Sequence, residues 1–184
     1  HFIYNHAICT MAMAEAYGMT RNSALLKSSA QRAVNYLIDC QNPYLGWRYG
    51  NSPGDNDPSV TAWAVLALQS AKLGELEVPG ESFDGALNWF EKVTDEAYYK
   101  TGYTSKGDSG VRLAEACATF QPTEAMTAAA VFSRIFILGA KATNRPEILG
   151  GGNLLKQSPP TWDVKAGTID MYYWYYGTLA MFQM

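Results

Sequence analysis

The chain has 184 residues, with 14 Lys and Arg against 17 Asp and Glu, for a net charge of −3. Hydrophobic residues make up 48% and charged residues 17%, the balance of a globular chain able to bury a core. No cation cluster is long enough to track a phosphate backbone, which argues against a nucleic-acid partner, and apolar runs such as Ala62–Leu68 fall well short of the ~20 residues of a membrane span.

The first element, His6–Gly18 (HAICTMAMAEAYG), is Ala-rich and apolar all round. Such a helix is expected to be buried on every side, with its closing glycine in the left-handed conformation past the helix end. Ser23–Cys40 differs: Leu26, Ala30, Ala33, Val34, Leu37 and Ile38 fall on one face, and Lys27, Gln31, Arg32 and Asn35 fall elsewhere. That is a one-faced helix. Ala62–Gly74 (AWAVLALQSAKLG) repeats the first type. Phe83–Val93 repeats the second through Phe83, Ala86, Leu87, Phe90 and Val93, with Ser82 as the expected N-cap.

Thr127–Gly139 (TAAAVFSRIFILG) is a third apolar helix. Pro146–Lys156 is a weaker amphipathic one, with Pro146 in the first turn. Its Gly150-Gly151-Gly152 run costs ~1 kcal/mol per residue relative to alanine, so close tertiary packing is expected to compensate. Asp170–Met184 (DMYYWYYGTLAMFQM) closes the series, with Asp170 as N-cap. No segment shows the period-2 alternation of a strand. The expectation is an all-α fold over residues 1–184, a single domain of seven helices alternating between an inner and an outer layer. An α/α toroid and an α-solenoid both fit that order. A chain beginning at His1 is expected to be a piece of a longer protein. Cys9, Cys40 and Cys117 lack metal-ligand spacing and are expected to be small buried hydrophobes.

One segment carries more specific information. Residues 32–47 (RAVNYLIDCQNPYLGW) place Arg32 and Ala33 before Tyr36-Leu37, Gln41 four residues after Leu37, and Gly46-Trp47 at the end. This resembles the Gln-Trp repeat of squalene and oxidosqualene cyclases, shared more loosely with protein prenyltransferases. The tryptophan stands at the family's position, while the glycine is displaced by one, to Gly46. Eroded copies follow. Trp89-Phe90 stands for Tyr36-Leu37, Ala86 for Ala33 and Gly102-Tyr103 for Gly46-Trp47, and Leu154-Leu155 with Gly151 is a faint third. The resemblance implies the toroid, with about half the helices of a full ring, and structural roles for Gln41 and Trp47.

In such a toroid the inner helices are parallel and open their N-termini onto one mouth, which favours polar or anionic ligand atoms there. Tyr4 and His6, Asp55 and Asp57, Glu124, and Tyr173 would stand at that mouth, with Trp63 and Trp174 further in. Cyclases that protonate squalene use an Asp-x-Asp-Asp-Thr motif. Asp55 and Asp57 match its first two aspartates, whereas Pro58 and Ser59 replace the third aspartate and the threonine. Asp57 is therefore the candidate general acid, with Asp55 beside it. The competing structural role is a pair of carboxylates capping the next helix.

The zinc ligands of the prenyltransferases, an Asp-x-Cys pair and a distant histidine, have no counterpart: Asp39 directly precedes Cys40, and His1 and His6 are the only histidines. No metal site and no cofactor are expected. The preferred expectation is a diverged, non-catalytic toroid domain that holds an apolar or isoprenoid-like molecule, or a partner chain, in its inner groove. A dimer or an intrachain partner would cover the inner wall. The alternatives are a terpenoid cyclase using Asp57 and, more remotely, an (α/α) carbohydrate-active enzyme pairing Asp57 with Glu124.

Overall fold

The computed structural model describes residues 2–20, 23–108, 123–142 and 144–184. Among these, every regular element is helical. In order they are α1 (Phe2–Met19), α2 (Ala24–Asp39), α3 (Pro58–Leu73), α4 (Gly80–Val93), α5 (Ala125–Leu138), α6 (Pro146–Gln157) and α7 (Met171–Gln183), with a 3-10 turn at Gly139–Ala142. The all-α expectation is met, and one isolated bridge, Thr94 to Thr101, is the nearest approach to β structure among these residues. The chain divides into two compact units, His1–Trp89 and Phe90–Met184, with the division falling inside α4.

In the first unit, α1 and α3 lie side by side and parallel. Trp63 Nε1 donates to Tyr4 Oη at 2.9 Å near their starts, and Ser70 Oγ donates to Glu15 at 3.2 Å near their ends. A Cβ on Gly18 would stand 3.5 Å from the Gly74 Cα, so small residues let the two helix ends close together. α2 runs antiparallel to α1: the His6 ring reaches the Ala33 carbonyl at 2.9 Å, and Phe2, one turn earlier, meets the edge of Tyr36. In this unit two apolar helices are thus parallel, and an amphipathic helix returns antiparallel beside the first.

Burial corrects the reading in two places. α3 is buried nearly all round, but α1 buries a single stripe of Ile3, Ala7, Thr10, Ala14 and Tyr17. Composition fixes what a helix can tolerate, not how many neighbours cover it, and Phe2, Cys9 and Met19 face outward. Of the cysteines expected inside, Cys40 is buried and Cys9 is exposed, while Cys117 lies outside the described residues. The three closing glycines also differ. Gly18 is still within α1, Gly74 has φ −79°, and Gly139 alone is left-handed at φ 54°.

In the second unit α5 and α7 are parallel. Thr123 Oγ1 donates to Asp170 Oδ2 at 2.6 Å ahead of both helices, and Phe132 meets Tyr176 further along, with ring centroids 6.1 Å apart. The stretch Ala125–Ala142 is long and apolar enough to cross a membrane by length and composition alone. However, 56% of it is buried in the protein and Arg134 lies within it, as in the core helix of a globular unit.

α6 packs on α5 through its glycines. A Cβ on Gly151 would stand 2.5 Å from Val131 Cγ2, Gly150 lies under the Tyr99 ring, and Gly152 lies against the Met184 side chain. Close packing thus offsets the helix cost of the glycine run. Gly151→Ala is expected to lower stability by ~1–3 kcal/mol through overpacking, despite alanine's better helix propensity. Urea denaturation followed by circular dichroism checks this, and an unchanged or higher midpoint would remove the packing explanation.

Candidate functional site

The segment joining α2 to α3 has no regular structure, so its polar groups find partners one by one. Trp47 is fully buried. Its indole N–H donates to the Leu37 carbonyl at 2.7 Å, and its backbone N–H donates to Thr61 Oγ1 at 3.0 Å. Gln41 Nε2 spends both of its hydrogens, on Leu45 O at 2.7 Å and Ser82 O at 2.9 Å, and the latter lies in the first turn of α4. α4 itself begins at Gly80, two residues before the expected cap. Glycine is required at two contacts with this tie. A Cβ on Gly85 would lie 2.6 Å from Gln41 Nε2, and one on Gly46 would strike the Thr61 side chain. Gln41 and Trp47 therefore act as fasteners between helices.

Asp57 follows from the same need. It is the N-cap of α3, 0% exposed, with Pro58 in the first turn behind it. Its Oδ1 accepts from the Val60 N–H at 2.8 Å and the Ser59 hydroxyl at 2.6 Å. Both bonds fall on one oxygen and satisfy donors of the first turn of α3, which is the work of a helix cap. Asp55 lies in quite different surroundings, 58% exposed and paired with Arg48 at 2.6 Å. A surface ion pair of this kind contributes ~0–1 kcal/mol. Tyr4 and Trp63 are joined by the hydrogen bond between their side chains. His6, two residues on from Tyr4, is turned to α2, where its ring bonds Ala33 and packs against Phe2 and Tyr36.

In the second unit, Glu124, Tyr173 and Trp174 line one cavity of about 150 Å³, together with Thr123, Pro160 and Thr168. Two helix starts build it. Asp170 caps α7 by accepting the Tyr173 N–H at 3.0 Å, and Glu124 precedes α5, accepting from Thr127 Oγ1 at 2.9 Å and facing Lys100 at 3.1 Å. The Tyr173 hydroxyl donates to Ser158 O at 2.6 Å. Burial, and then the nearby Glu124 and Asp170 carboxylates, push its pKa above the ordinary phenol value, so it remains a donor. Trp174 packs on Trp162 with centroids 5.7 Å apart. Across Pro160 and Tyr173 adjoins an apolar groove of about 400 Å³, lined also by Leu155, Gly177, Met181 and Phe182.

Sequence reasoning missed a buried polar network in this unit. The Thr94 hydroxyl donates to Phe90 O at 2.6 Å and accepts from Arg134 at 2.9 Å, which leaves its remaining lone pair for the Thr101 hydroxyl at 2.9 Å. The Thr101 N–H continues to Thr127 Oγ1, and Thr127 to Glu124. Burial pulls the Arg134 guanidinium down to about 10, still charged at neutral pH, and the Phe90 ring lies 5.8 Å from it. The available signal was Arg134 itself, the one charged residue in an otherwise apolar run.

Among the described residues no three His, Cys, Asp or Glu side chains gather into a group that could hold a metal. No family model, curated protein or solved structure matches this chain.

The capping role of Asp57 has a measurable consequence. Asp57→Ala is expected to cost ~1–2 kcal/mol of stability, and Asp57→Asn, which keeps an acceptor at the cap, much less. Urea titrations of the two variants check this. Equal losses would show that the charge, and not the cap, matters at this position.

Proposed function

We propose that the chain is a diverged α/α-toroid domain of the squalene cyclase and prenyltransferase type. In this reading it has no catalytic proton donor and holds a lipid-like molecule in an apolar groove. The observation that carries the proposal is the groove beside α7, where Leu155, Met181 and Phe182 offer apolar surface, Phe182 being 83% exposed. Parallel helices in each unit, the returning α2, and the ties made by Gln41 and Trp47 support the toroid reading. The use of Asp57 as a buried helix cap supports the absence of acid catalysis.

Two measurements test this. The protein incubated with squalene is expected to yield no cyclised product by mass spectrometry; product formed by the native chain and lost in Asp57→Asn would instead establish the cyclase alternative. Native mass spectrometry after exposure to a lipid extract is expected to retain an apolar adduct, which Gly177→Trp removes by filling the groove. An adduct that survives this substitution would place the ligand elsewhere.

A partner chain is the second reading. Met19 and Leu73 flank the Gly18–Gly74 contact and are 84% and 81% exposed. Such a pair of large apolar side chains at one helix end suits a protein surface. Light scattering is expected to give a mass above the 20.2 kDa of one chain, and Met19→Lys with Leu73→Lys to return it to that value. A native protein already at that mass would remove self-association.

A further inference from the structure

We propose that the outer face of α1 is where two copies of this chain meet, with the two α1 helices packed antiparallel about a two-fold axis. The inference rests on the partner-chain reading given above, and it supplies that partner's identity and the surface that binds it. α1 buries Ile3, Ala7, Thr10, Ala14 and Tyr17. On the opposite side Phe2, Asn5, Cys9, Ala12, Ala16 and Met19 are all exposed. Their spacing alternates between three and four, which is the seam along which one helix packs on another in a coiled coil. The solvent face of a helix is ordinarily charged, yet this row carries no charge. Glu15, the one carboxylate of α1, stands beside the row and accepts from Ser70 Oγ of α3.

Two features make a second copy the occupant. The first is symmetry, because an interface between identical chains about a two-fold axis must be complementary to itself. The row has the same shape from either end: large at Phe2 and Met19, small through Cys9, Ala12 and Ala16. With the axis level with the gap between Thr10 and Met11, Phe2 meets the partner's Met19, Asn5 the partner's Ala16, and Cys9 the partner's Ala12. The small middle lets the helix axes approach to ~8 Å. Asn5, the one polar member, faces a small residue, which leaves its amide room for water. Antiparallel order sets each N-terminus beside the other helix's C-terminus, as their dipoles favour, whereas a parallel pair would set like ends together.

The second feature is area. At one end of the row Phe2 meets the edge of Tyr36, and at the other Met19 and Leu73 flank the Gly18–Gly74 contact. Antiparallel order lays the first pair over the partner's second pair. Phe2, Tyr36, Met19 and Leu73 are 61, 39, 84 and 81% exposed. At roughly 200 Å² for a large side chain, they offer on the order of 500 Å² per copy. The middle of the row raises this toward the ~800 Å² per partner of a standard interface.

The test is light scattering of the full chain at ~100 μM, well above the micromolar Kd that interfaces of this size reach at their weakest. The native chain is expected at twice 20.2 kDa and Ala12→Glu at 20.2 kDa, with circular dichroism unchanged because Ala12 is exposed. Tyr98→Glu, at an exposed position of the other unit, is expected to stay dimeric. Disulfide trapping in a Cys9→Ser chain reads the orientation. Asn5→Cys combined with Ala16→Cys is expected to give a covalent dimer on oxidation. Asn5→Cys alone is expected to give none, since the two copies of that position would stand ~16 Å apart along the helices. A native monomer would defeat this proposal and self-association together. A native dimer that survives Ala12→Glu would leave self-association standing and place it on another face. Should Ala12→Glu fail to fold, trapping decides: no covalent dimer from the double variant, or one from Asn5→Cys alone, would overturn the antiparallel pair.

Discussion

Helices that begin in the interior bring unpaired N–H groups with them, and the rest of this structure depends on how those groups are satisfied. The first turn of a helix has no intrahelical partners for its donors. α3 begins at buried Pro58 and Ser59, and its N-cap Asp57 is sealed from solvent. The side chains that solve this problem are the carboxylates and hydroxyls that would otherwise look available for chemistry. Asp57 caps α3, Asp170 caps α7, and Thr61 and Thr127 receive the N–H groups of Trp47 and Thr101. An acidic residue before an apolar helix is therefore ambiguous in sequence. Only its partners separate a cap from an acid.

The two units solve the same problem with different side chains. Thr94 follows Phe90 by the same spacing as Gln41 follows Leu37, and Phe90 and Leu37 are both fully buried. The glutamine amide ties two carbonyls directly. In its place the shorter threonine needs help, which arrives as Arg134 from α5 and Thr101 from the loop. The loop donors correspond as well: the Trp47 N–H reaches Thr61, and the Thr101 N–H reaches Thr127. This aligns Thr101, not Tyr103, with Trp47, two residues away from the pairing that Gly102-Tyr103 suggests in sequence. Gly102 is explained separately, because a Cβ there would strike the Ser105 carbonyl. The two units thus share one kind of contact, a loop N–H given to a threonine of the next apolar helix, while the side chains around it differ.

What could be read in the sequence was whatever depends on one helix and its own period. The buried positions Phe83, Ala86, Phe90 and Val93 of α4 follow directly from their spacing, as do the all-helical class and the Asp170 cap. What could not be read depends on who the neighbour is. Gly18, Gly74 and Gly139 look alike as helix stops, yet two permit close approach and one turns the chain. The glycines of α6 make sense only once Val131, Tyr99 and Met184 are seen above them. Arg134 finds its acceptor 40 residues away, a distance over which spacing carries no information. Asp55 and Asp57 lie two residues apart and differ completely in burial, because the helix start turns one inward and leaves the other to solvent.

The aromatic run Tyr172–Tyr176 shows how such neighbours decide function. Five consecutive rings on a helix point all round it, so their count says nothing about a binding site. Tyr176 is fully buried beside Phe132, Tyr175 is half exposed, and Tyr173 stands between the cavity and the apolar groove. Trp174 lines the same cavity as Tyr173 and packs on Trp162. Asp57 of the Asp-x-Asp segment is spent differently, on the framework, as the buried cap that starts α3.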